Sequence, residues 1–161
     1  MKKRFYIETT IPSCYFEARS MPEMVARREW TRAWWARAKG REQLVTSVAV
    51  LGELARGDFP ARDECLRLLK PLPVLPADPA IEEIVDAYIA RKVMPRDPLG
   101  DALHLALASY HRCDFLLTWN CQHLANATKF EHIRRVNVLL GLFVPALVTP
   151  LQLLGGPDEV R

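Results

Sequence analysis

Three carboxylates occupy positions at which a globular chain seldom places an unpaired charge. Glu8 follows directly after the short apolar stretch "FYI", Glu53 lies between leucines in "SVAVLGELARGD", and Asp101 opens the apolar segment "DALHLALASY". The segment around Asp101 is apolar on nearly every face of a helix, which indicates that this helix is buried. An isolated ionised carboxylate in such surroundings is strongly disfavoured unless it is paired or bound to a cation.

Each of these carboxylates also has an ordinary explanation. Glu8 could cap the turn that follows it, Glu53 could form a surface ion pair with a nearby arginine, and Asp101 could complement the dipole of its helix. Together they are harder to explain, because two carboxylates about 5 Å apart repel by roughly 3 kcal/mol at an effective dielectric constant near 20. A cluster of three requires a cation. Oxygen ligands without a paired His or Cys favour Mg²⁺ or Mn²⁺ over zinc, and such an ion supports phosphodiester hydrolysis by activating water.

The elements that must position these side chains alternate along the chain. Apolar runs predict strands at residues 5–7, 44–46, 115–118 and 146–148, with a candidate edge segment in "LPVLP". Helical patterns fall between them, at residues 22–39, 48–56, 62–70, 79–91 and 99–110. Strands separated by helices need crossover connections, which predicts a three-layer α/β/α fold with a central, mostly parallel sheet.

The ends of two helices carry recognisable signals. Ser47 is expected to cap the helix that follows the second strand, and Gly57 is expected to end it. Asp97 and Pro98 are expected to open the helix that carries Asp101.

In an open parallel sheet, ligands bind at the carboxyl ends of the strands. Glu8 follows the first predicted strand, and Asn120 follows the strand "FLLT". Glu53 lies in the helix that leaves the second strand, and Asp101 lies near the start of the helix that leads to the third. Because helical side chains lean toward the N-terminus of their helix, all four are expected to converge on one rim of the sheet.

The order of the segments "YIETTIPS", "SVAVLGELARGD", "DALHLALA" and "FLLTWN" resembles the PIN-domain family, and within it the VapC-type toxins of type II toxin–antitoxin systems. The resemblance runs from residue 5 to about residue 154. It implies a PIN-like fold and a Mg²⁺- or Mn²⁺-dependent endoribonuclease that hydrolyses RNA phosphodiesters with a metal-activated water. It also implies a cognate antitoxin protein as partner and a homodimer.

Carried over by position, the resemblance implies an acidic quartet formed by Glu8, Glu53, Asp101 and Asn120, of which the first three hold the metal. Thr10 stands where the family keeps a Ser or Thr hydroxyl near the metal. The family usually has Asp at the first and fourth positions. Here Glu8 is one methylene longer than Asp, and Asn120 is uncharged but keeps a carbonyl oxygen as acceptor.

These two departures support a second hypothesis, a catalytically degenerate PIN-fold module that binds nucleic acid or protein without nuclease activity. The extra length of Glu8 decides between the two, since the ligand set shrinks if its carboxylate does not reach the ion. Asp97, one helical turn before Asp101, could compensate for the charge that Asn120 lacks.

A basic and aromatic helix is the second candidate surface. The segment "ARREWTRAWWARAKGRE" interleaves arginines with tryptophans, and Arg27, Arg28 and Arg32 could contact single-stranded nucleic acid. However, Trp30 and Trp34 at spacing i, i+4 are also typical of core packing with the arginines solvated on the other face. An amphipathic helix is the favoured interpretation, and the resemblance suggests a partner-binding groove at these early helices.

Histidine and cysteine offer no competing site on this reasoning. His104, one turn from Asp101, is interpreted as a core histidine rather than a catalytic base. The pattern "HRCDFLLTWNCQH" has the composition of a zinc site, but the strand predicted inside it would hold the two His–Cys pairs on the order of 20 Å apart. The four cysteines are therefore expected to be reduced thiols.

The bulk properties are those of an ordinary globular chain. With 161 residues and a net charge of +3, it is expected to form one domain over residues 1–154, followed by a flexible tail over residues 155–161. No signal-peptide core follows the N-terminus, and Pro145 interrupts the most apolar stretch, residues 138–148. A cytoplasmic protein without a membrane role is the expectation.

Overall fold

The computed structural model describes residues 2–95 and 99–155, and a five-stranded sheet lies at its centre. The strands are β1 (Arg4–Ile7), β2 (Gln43–Ser47), β3 (Val74–Leu75), β4 (Phe115–Leu117) and β5 (Ala146–Val148). They lie in the order β3-β2-β1-β4-β5, and every neighbouring pair is parallel. The four predicted strands are confirmed to within one residue at each end, and the candidate edge segment forms β3.

The described residues also form eight helices. These are α1 (Thr10–Tyr15), α2 (Pro22–Ala38), α3 (Val48–Arg56), α4 (Arg62–Leu69), α5 (Pro79–Ala90), α6 (Leu99–Tyr110), α7 (Ala127–Leu139) and α8 (Pro150–Leu154). The predicted helices correspond to α2 through α6. Ser47 caps α3 as expected, because its Oγ accepts the Val50 amide at 3.2 Å, and Gly57 ends that helix. The architecture confirms the three-layer α/β/α fold.

Three helices, α1, α7 and α8, do not emerge from the sequence patterns. The first is only six residues long, and the side chain of its N-cap residue, Thr9, makes no capping hydrogen bond. In α7 only three residues are buried, so its apolar stripe is weak, although Asn126 caps it by accepting the Thr128 amide. The apolar stretch over residues 138–148 is not one element. It is divided by Gly141, whose φ of +70° favours glycine, into the end of α7 and the strand β5.

Some expectations fall on residues outside those described. These are the roles of Asp97 and Pro98 at the start of α6 and the state of the tail beyond residue 155. The division of the chain at residue 154 stays a prediction. No helix among the described residues is long and apolar enough to cross a membrane.

The sheet brings the ends of its central strands together. Ile7 of β1 pairs with Leu117 of β4, and the Glu8 amide continues this ladder by donating to the Leu117 carbonyl at 3.2 Å. Glu8 and Thr118, the residues that follow these two strands, therefore lie side by side at the carboxyl edge of the sheet. Ser47 closes β2 on the other side of β1.

Helix α6 is buried against this edge. Ala102 and the residues from 105 to 108 have no exposed surface, and Asp101 is only 8% exposed. The burial of Asp101 that its apolar surroundings predict is therefore confirmed. A carboxylate in this position needs compensation from its neighbours.

Candidate functional site

Glu8 is held rigidly at the end of β1. Its Oε1 accepts three hydrogen bonds, from the Thr10 amide at 3.1 Å, the Thr10 hydroxyl at 2.5 Å and the Thr118 hydroxyl at 2.6 Å. Only 4% of the residue is exposed. Glu8 thus caps the following turn through one oxygen, which is one of the two roles that the sequence left open. The same carboxylate also faces the cavity described below.

Glu53 lies on α3, and two contacts fix its side chain. Thr9 donates its hydroxyl to Oε2 at 2.7 Å, and Nε2 of His104 lies 2.8 Å from Oε1. The side chain is 30% exposed, so the carboxylate faces both protein and solvent. A Cβ at Gly100 would lie 3.0 Å from Oε1, which means that glycine at this position lets the backbone of α6 approach the carboxylate closely. The short contacts of Glu53 are therefore inside the site, rather than in a surface pair with arginine.

His104 joins the site from one turn further along α6. It is 1% exposed, and its Nδ1 lies 2.7 Å from the hydroxyl of Tyr6, which in turn lies 2.7 Å from Oγ of Ser47. Its Nε2 faces Glu53 off the line of a hydrogen bond, and it has no hydrogen-bond partner among the described residues. One ring nitrogen is thus anchored, while the other points to the carboxylates.

Asp101 is paired with Asn120. The amide nitrogen of Asn120 donates to Oδ1 of Asp101 at 2.8 Å. The carbonyl oxygen of Asn120 accepts the backbone amides of Gln122 at 3.2 Å and His123 at 3.0 Å, which fixes the orientation of the side-chain amide. This carbonyl oxygen is therefore an acceptor for the following turn, and the role of Asn120 in the site stays a prediction. The side chain presents its NH₂ group to Asp101 instead.

The predicted residues share one rim but do not form one group. Single ligand atoms of Glu8, Glu53 and His104 lie within 4.8 Å of one another. A cavity of about 370 Å³ opens over them and is also lined by Arg56, Gly100 and Asp101. Asp101 is therefore beside the tightest group rather than in it, and Asn120 touches the site through Asp101.

The predicted ligand set of oxygen atoms stays a prediction, and the structure adds an imidazole nitrogen to the tightest group. The signal for it was present in the sequence. His104 stands three residues after Asp101, and this spacing places two side chains on the same face of a helix. Thr9 and Thr118, which orient the two glutamates, carried no comparable signal.

The negative charges of the site are stabilised to different degrees by their neighbours. Burial acts to lower the pKa of His104, but the contact with Glu53 and the charges of Glu8, Glu53 and Asp101 outweigh burial and raise it. Burial acts to raise the pKa of Glu53, but His104 and Thr9 outweigh it and lower it. For Asp101 burial prevails, helped by the charge of Glu53, and the pKa of this carboxyl is raised. The imidazole thus stabilises the negative charge of Glu53, whereas the neighbours of Asp101 do not offset the burial of its charge.

The donor set fits a divalent cation. Two carboxylates and a ring nitrogen without a hydrogen bond to the described residues converge, and a third carboxylate lines the same cavity. Carboxylate oxygens suit Mg²⁺ and Mn²⁺, and an imidazole nitrogen is compatible with Mn²⁺. A cation bound here would stabilise the ionised form of Asp101, which burial disfavours and which the charge of Glu53 disfavours further.

The basic residues of α2 lie away from this cavity and are engaged within the protein. Arg27 forms an ion pair with Glu23 at 3.0 Å and lies over the ring of Trp119. Arg28 donates to the Glu17 carbonyl and forms an ion pair with Glu29. Arg32 donates to the Tyr15 carbonyl at 2.8 Å and lies over its ring. A role of these three arginines in binding nucleic acid stays a prediction.

Comparison with known families agrees with this arrangement. The model of the PIN domain matches residues 24–123, which is more than half of the chain and includes Glu53, Asp101, His104 and Asn120. The match begins after Glu8, so the first carboxylate is placed by the structure alone. A comparison with curated proteins finds no match. PIN domains are generally metal-dependent nucleases, and a cluster of carboxylates with a histidine is present at the expected edge of the sheet. The chain belongs to the PIN domain family.

Proposed function

We propose that this protein is a cytoplasmic, Mg²⁺- or Mn²⁺-dependent endoribonuclease that acts as the toxin of a toxin–antitoxin pair. One observation carries the proposal. In a PIN fold, Glu8 and Glu53 converge at the carboxyl edge of the sheet, with Asp101 lining the same cavity. This arrangement of carboxylates is suited to hold a cation against an RNA phosphate.

In this proposal Glu8, Glu53 and Asp101 hold the ion. When bound, a divalent cation lowers the pKa of a coordinated water and stabilises negative charge on a phosphate. The protein supplies the positioning. Thr10 and Thr118 hold one oxygen of Glu8, and the Thr9 hydroxyl holds Glu53. Side chains that are fixed before substrate arrives need no reorganisation during the reaction.

Two further residues, Asn120 and Arg56, have proposed roles in positioning a ligand and in binding the substrate. Asn120 orients Asp101 by donating its NH₂ group to Oδ1, and the other carboxylate oxygen takes no part in this hydrogen bond. Arg56 lines the cavity beside the carboxylates and offers a positive charge to a substrate phosphate. These groups address a phosphodiester, and RNA is the proposed substrate because the resemblance to VapC-type toxins implies it.

The proposed partners are a cognate antitoxin and a second copy of the chain. Support for a protein contact comes from the end of α7, where Val138 is 58% exposed and Leu139 is 69% exposed. Adjacent exposed aliphatic side chains of this size are typical of surfaces that bind protein. The arginines of α2 are a second proposed contact surface, for RNA or for the antitoxin.

The alternative is a PIN-fold module that binds nucleic acid or protein without cleaving it. Two observations favour it. The position of the family's fourth acid carries Asn120, whose amide already satisfies Asp101, and Oε1 of Glu8 already accepts three hydrogen bonds. Each of these contacts compensates a carboxylate in the absence of a cation.

Cleavage of a structured RNA separates the two functions. We expect the wild-type protein to cleave it only when Mn²⁺ or Mg²⁺ is added, and Asp101→Asn to lose at least 100-fold in rate, because a ligand charge is removed. Asp86→Asn is the matched control, since Asp86 is exposed on α5 outside the cavity. Equal rates for wild type and Asp101→Asn, or cleavage independent of metal in both, would eliminate the nuclease proposal.

A further inference from the structure

We propose that His104 is a metal ligand of this site, through Nε2, and that its imidazole makes the site select Mn²⁺ over Mg²⁺. The inference rests on the proposed function only in requiring that a divalent cation binds at the carboxylates. Its basis is that His104 is 1% exposed, that a ring nitrogen of His104 lies within 4.8 Å of ligand atoms of Glu8 and Glu53, and that Nε2 lies 2.8 Å from Oε1 of Glu53. That nitrogen has no hydrogen-bond partner among the described residues. A buried ring nitrogen that is close to a carboxylate without a hydrogen bond is accounted for by a shared cation.

The spacing of the donor atoms agrees with this assignment. Nε2 of His104 and Oε1 of Glu53 are 2.8 Å apart. Two neighbouring ligands on one octahedral ion, each bonded at about 2.1 Å, stand about 3 Å apart. The two atoms can therefore serve the same ion after a movement of a few tenths of an ångström.

The opposite ring nitrogen is arranged as it is in ligating histidines. Tyr6 contacts Nδ1 through its hydroxyl at 2.7 Å, and the same hydroxyl lies 2.7 Å from Oγ of Ser47. Ser47 Oγ also accepts the Val50 amide. With the proton on Nδ1, His104 donates to Tyr6 and Tyr6 donates to Ser47, which leaves the lone pair of Nε2 directed at the carboxylates. Such a partner on the second nitrogen fixes the tautomer and ring orientation of metal-bound histidines.

A simpler role for His104 would be an ion pair with Glu53. The 2.8 Å contact between Nε2 and Oε1 of Glu53 is close enough for such a pair, although it does not meet hydrogen-bond geometry. Both roles predict that loss of His104 destabilises the protein. Only ligation predicts a change in which metal the protein binds.

Metal selectivity follows from the chemistry of the donors. Mg²⁺ is a hard ion that binds almost entirely through oxygen, whereas imidazole is a common ligand of first-row transition metals. The nitrogen therefore adds more to the affinity for Mn²⁺ than to that for Mg²⁺. Substitution of His104 is expected to lower the Mn²⁺ affinity by at least about tenfold, as loss of a ligand costs no less than loss of its supporting residue, and to lower the Mg²⁺ affinity by a smaller factor.

The test measures binding rather than cleavage. Titration calorimetry with Mn²⁺ and with Mg²⁺ is carried out on the wild type, His104→Gln and His132→Gln, the last being an exposed histidine of α7. Pulsed electron paramagnetic resonance of the Mn²⁺ complex then reports nitrogen bound to the ion. We expect a ¹⁴N coupling in the wild type and in His132→Gln, and its loss in His104→Gln together with the loss of Mn²⁺ preference.

Tyr6→Phe provides a second variant that keeps the imidazole. It should retain the ¹⁴N coupling but bind Mn²⁺ about tenfold more weakly, because Nδ1 loses its partner. If His104→Gln does not fold, the wild-type spectrum and Tyr6→Phe decide the question. Absence of ¹⁴N coupling in the wild-type Mn²⁺ complex, or an unchanged ratio of Mn²⁺ to Mg²⁺ affinity in folded His104→Gln, would overturn the inference.

These outcomes are separable from those of the nuclease test. Nitrogen-bound Mn²⁺ without RNA cleavage would refute the proposed function and leave the ligand assignment standing. Metal-dependent cleavage that requires Asp101, without nitrogen coupling, would do the reverse.

Discussion

Replacement of Asn120 by Asp would place a second carboxylate directly against Asp101. In the wild type, the side-chain NH₂ of Asn120 donates to Oδ1 of Asp101 at 2.8 Å. The new oxygen could not easily rotate away, because the other oxygen of residue 120 is held by the amides of Gln122 and His123. The substitution restores the acid that the family usually has here, so it is a direct test of whether a cation compensates the rim.

The expected magnitude follows from the contacts that change. A hydrogen bond to a charged group contributes about 1.5–3 kcal/mol, and this contribution is lost. Two carboxylates near 4 Å repel by about 4 kcal/mol at an effective dielectric constant of 20, although relaxation and uptake of a proton limit the cost. We therefore expect Asn120→Asp to lower the free energy of unfolding by about 2–4 kcal/mol at pH 7 in EDTA.

The loss should depend on pH and on metal. Burial and Glu53 already raise the pKa of Asp101, and a neighbouring carboxylate would raise it further. A carboxyl with a raised pKa in the folded state destabilises the protein when it is ionised, so the penalty is largest at neutral pH. It should disappear as the pH falls below about 4, where the pair is protonated in both states. A cation at 100 times its dissociation constant stabilises the folded state by about 2.7 kcal/mol and should offset most of the penalty.

Urea unfolding at pH 7 and pH 5, in EDTA and in Mn²⁺, measures these effects. Asn126→Asp is the matched control, because Asn126 caps α7 outside the cavity and Asp serves equally well as a cap. The double variant Asp101→Asn/Asn120→Asp reverses the amide and the carboxylate and should recover most of the stability. Wild-type stability of Asn120→Asp in EDTA at pH 7, or additive losses in the double variant, would refute this account of the rim.

Two further predictions concern the site and the core. Gly100→Ala should weaken Mn²⁺ binding severalfold in calorimetry, because the added methyl group would lie 3.0 Å from Oε1 of Glu53. The thermal stability should stay equal or rise, since alanine is the better helix former. Unchanged Mn²⁺ affinity would contradict this prediction. Tyr88→Phe should lower the free energy of unfolding in urea by about 1–3 kcal/mol, because the buried Tyr88 hydroxyl donates to Oδ1 of Asn137 at 2.6 Å. The control Tyr110→Phe, on the exposed end of α6, should change the free energy of unfolding by less than about 0.5 kcal/mol. Equal effects of the two variants would contradict this prediction.

Much of the fold is readable from the sequence because its signals are local. A strand followed at once by a serine cap, as at Ser47, needs only a few adjacent residues to be recognised. Helix α7 has a capping residue, Asn126, but its buried face is narrow, so that the cap alone does not identify a helix whose stability comes from packing. The burial of Asp101 is likewise a local inference from the apolar residues around it.

The candidate site is readable only in part, because its decisive contacts join distant segments. The direction of Nε2 in His104 depends on Tyr6 from β1 and Ser47 from β2, and no local pattern encodes it. The hydroxyl of Thr118 reaches Glu8 only through the register between β1 and β4. The sequence predicts which carboxylates lie at the rim of the sheet, whereas their hydrogen-bond partners are seen only in the three-dimensional structure.

The contact between Glu8 and Thr118 also has a consequence for synthesis of the protein. The two residues are 110 positions apart, so a growing chain has made its first carboxylate long before it makes the hydroxyl that holds it. The strand β1 likewise waits for β4 before its second edge is paired. Closure over so long a segment is late and slow in folding. A ribosome-bound chain therefore carries an unassembled candidate site until β4 has been made and can pair with β1.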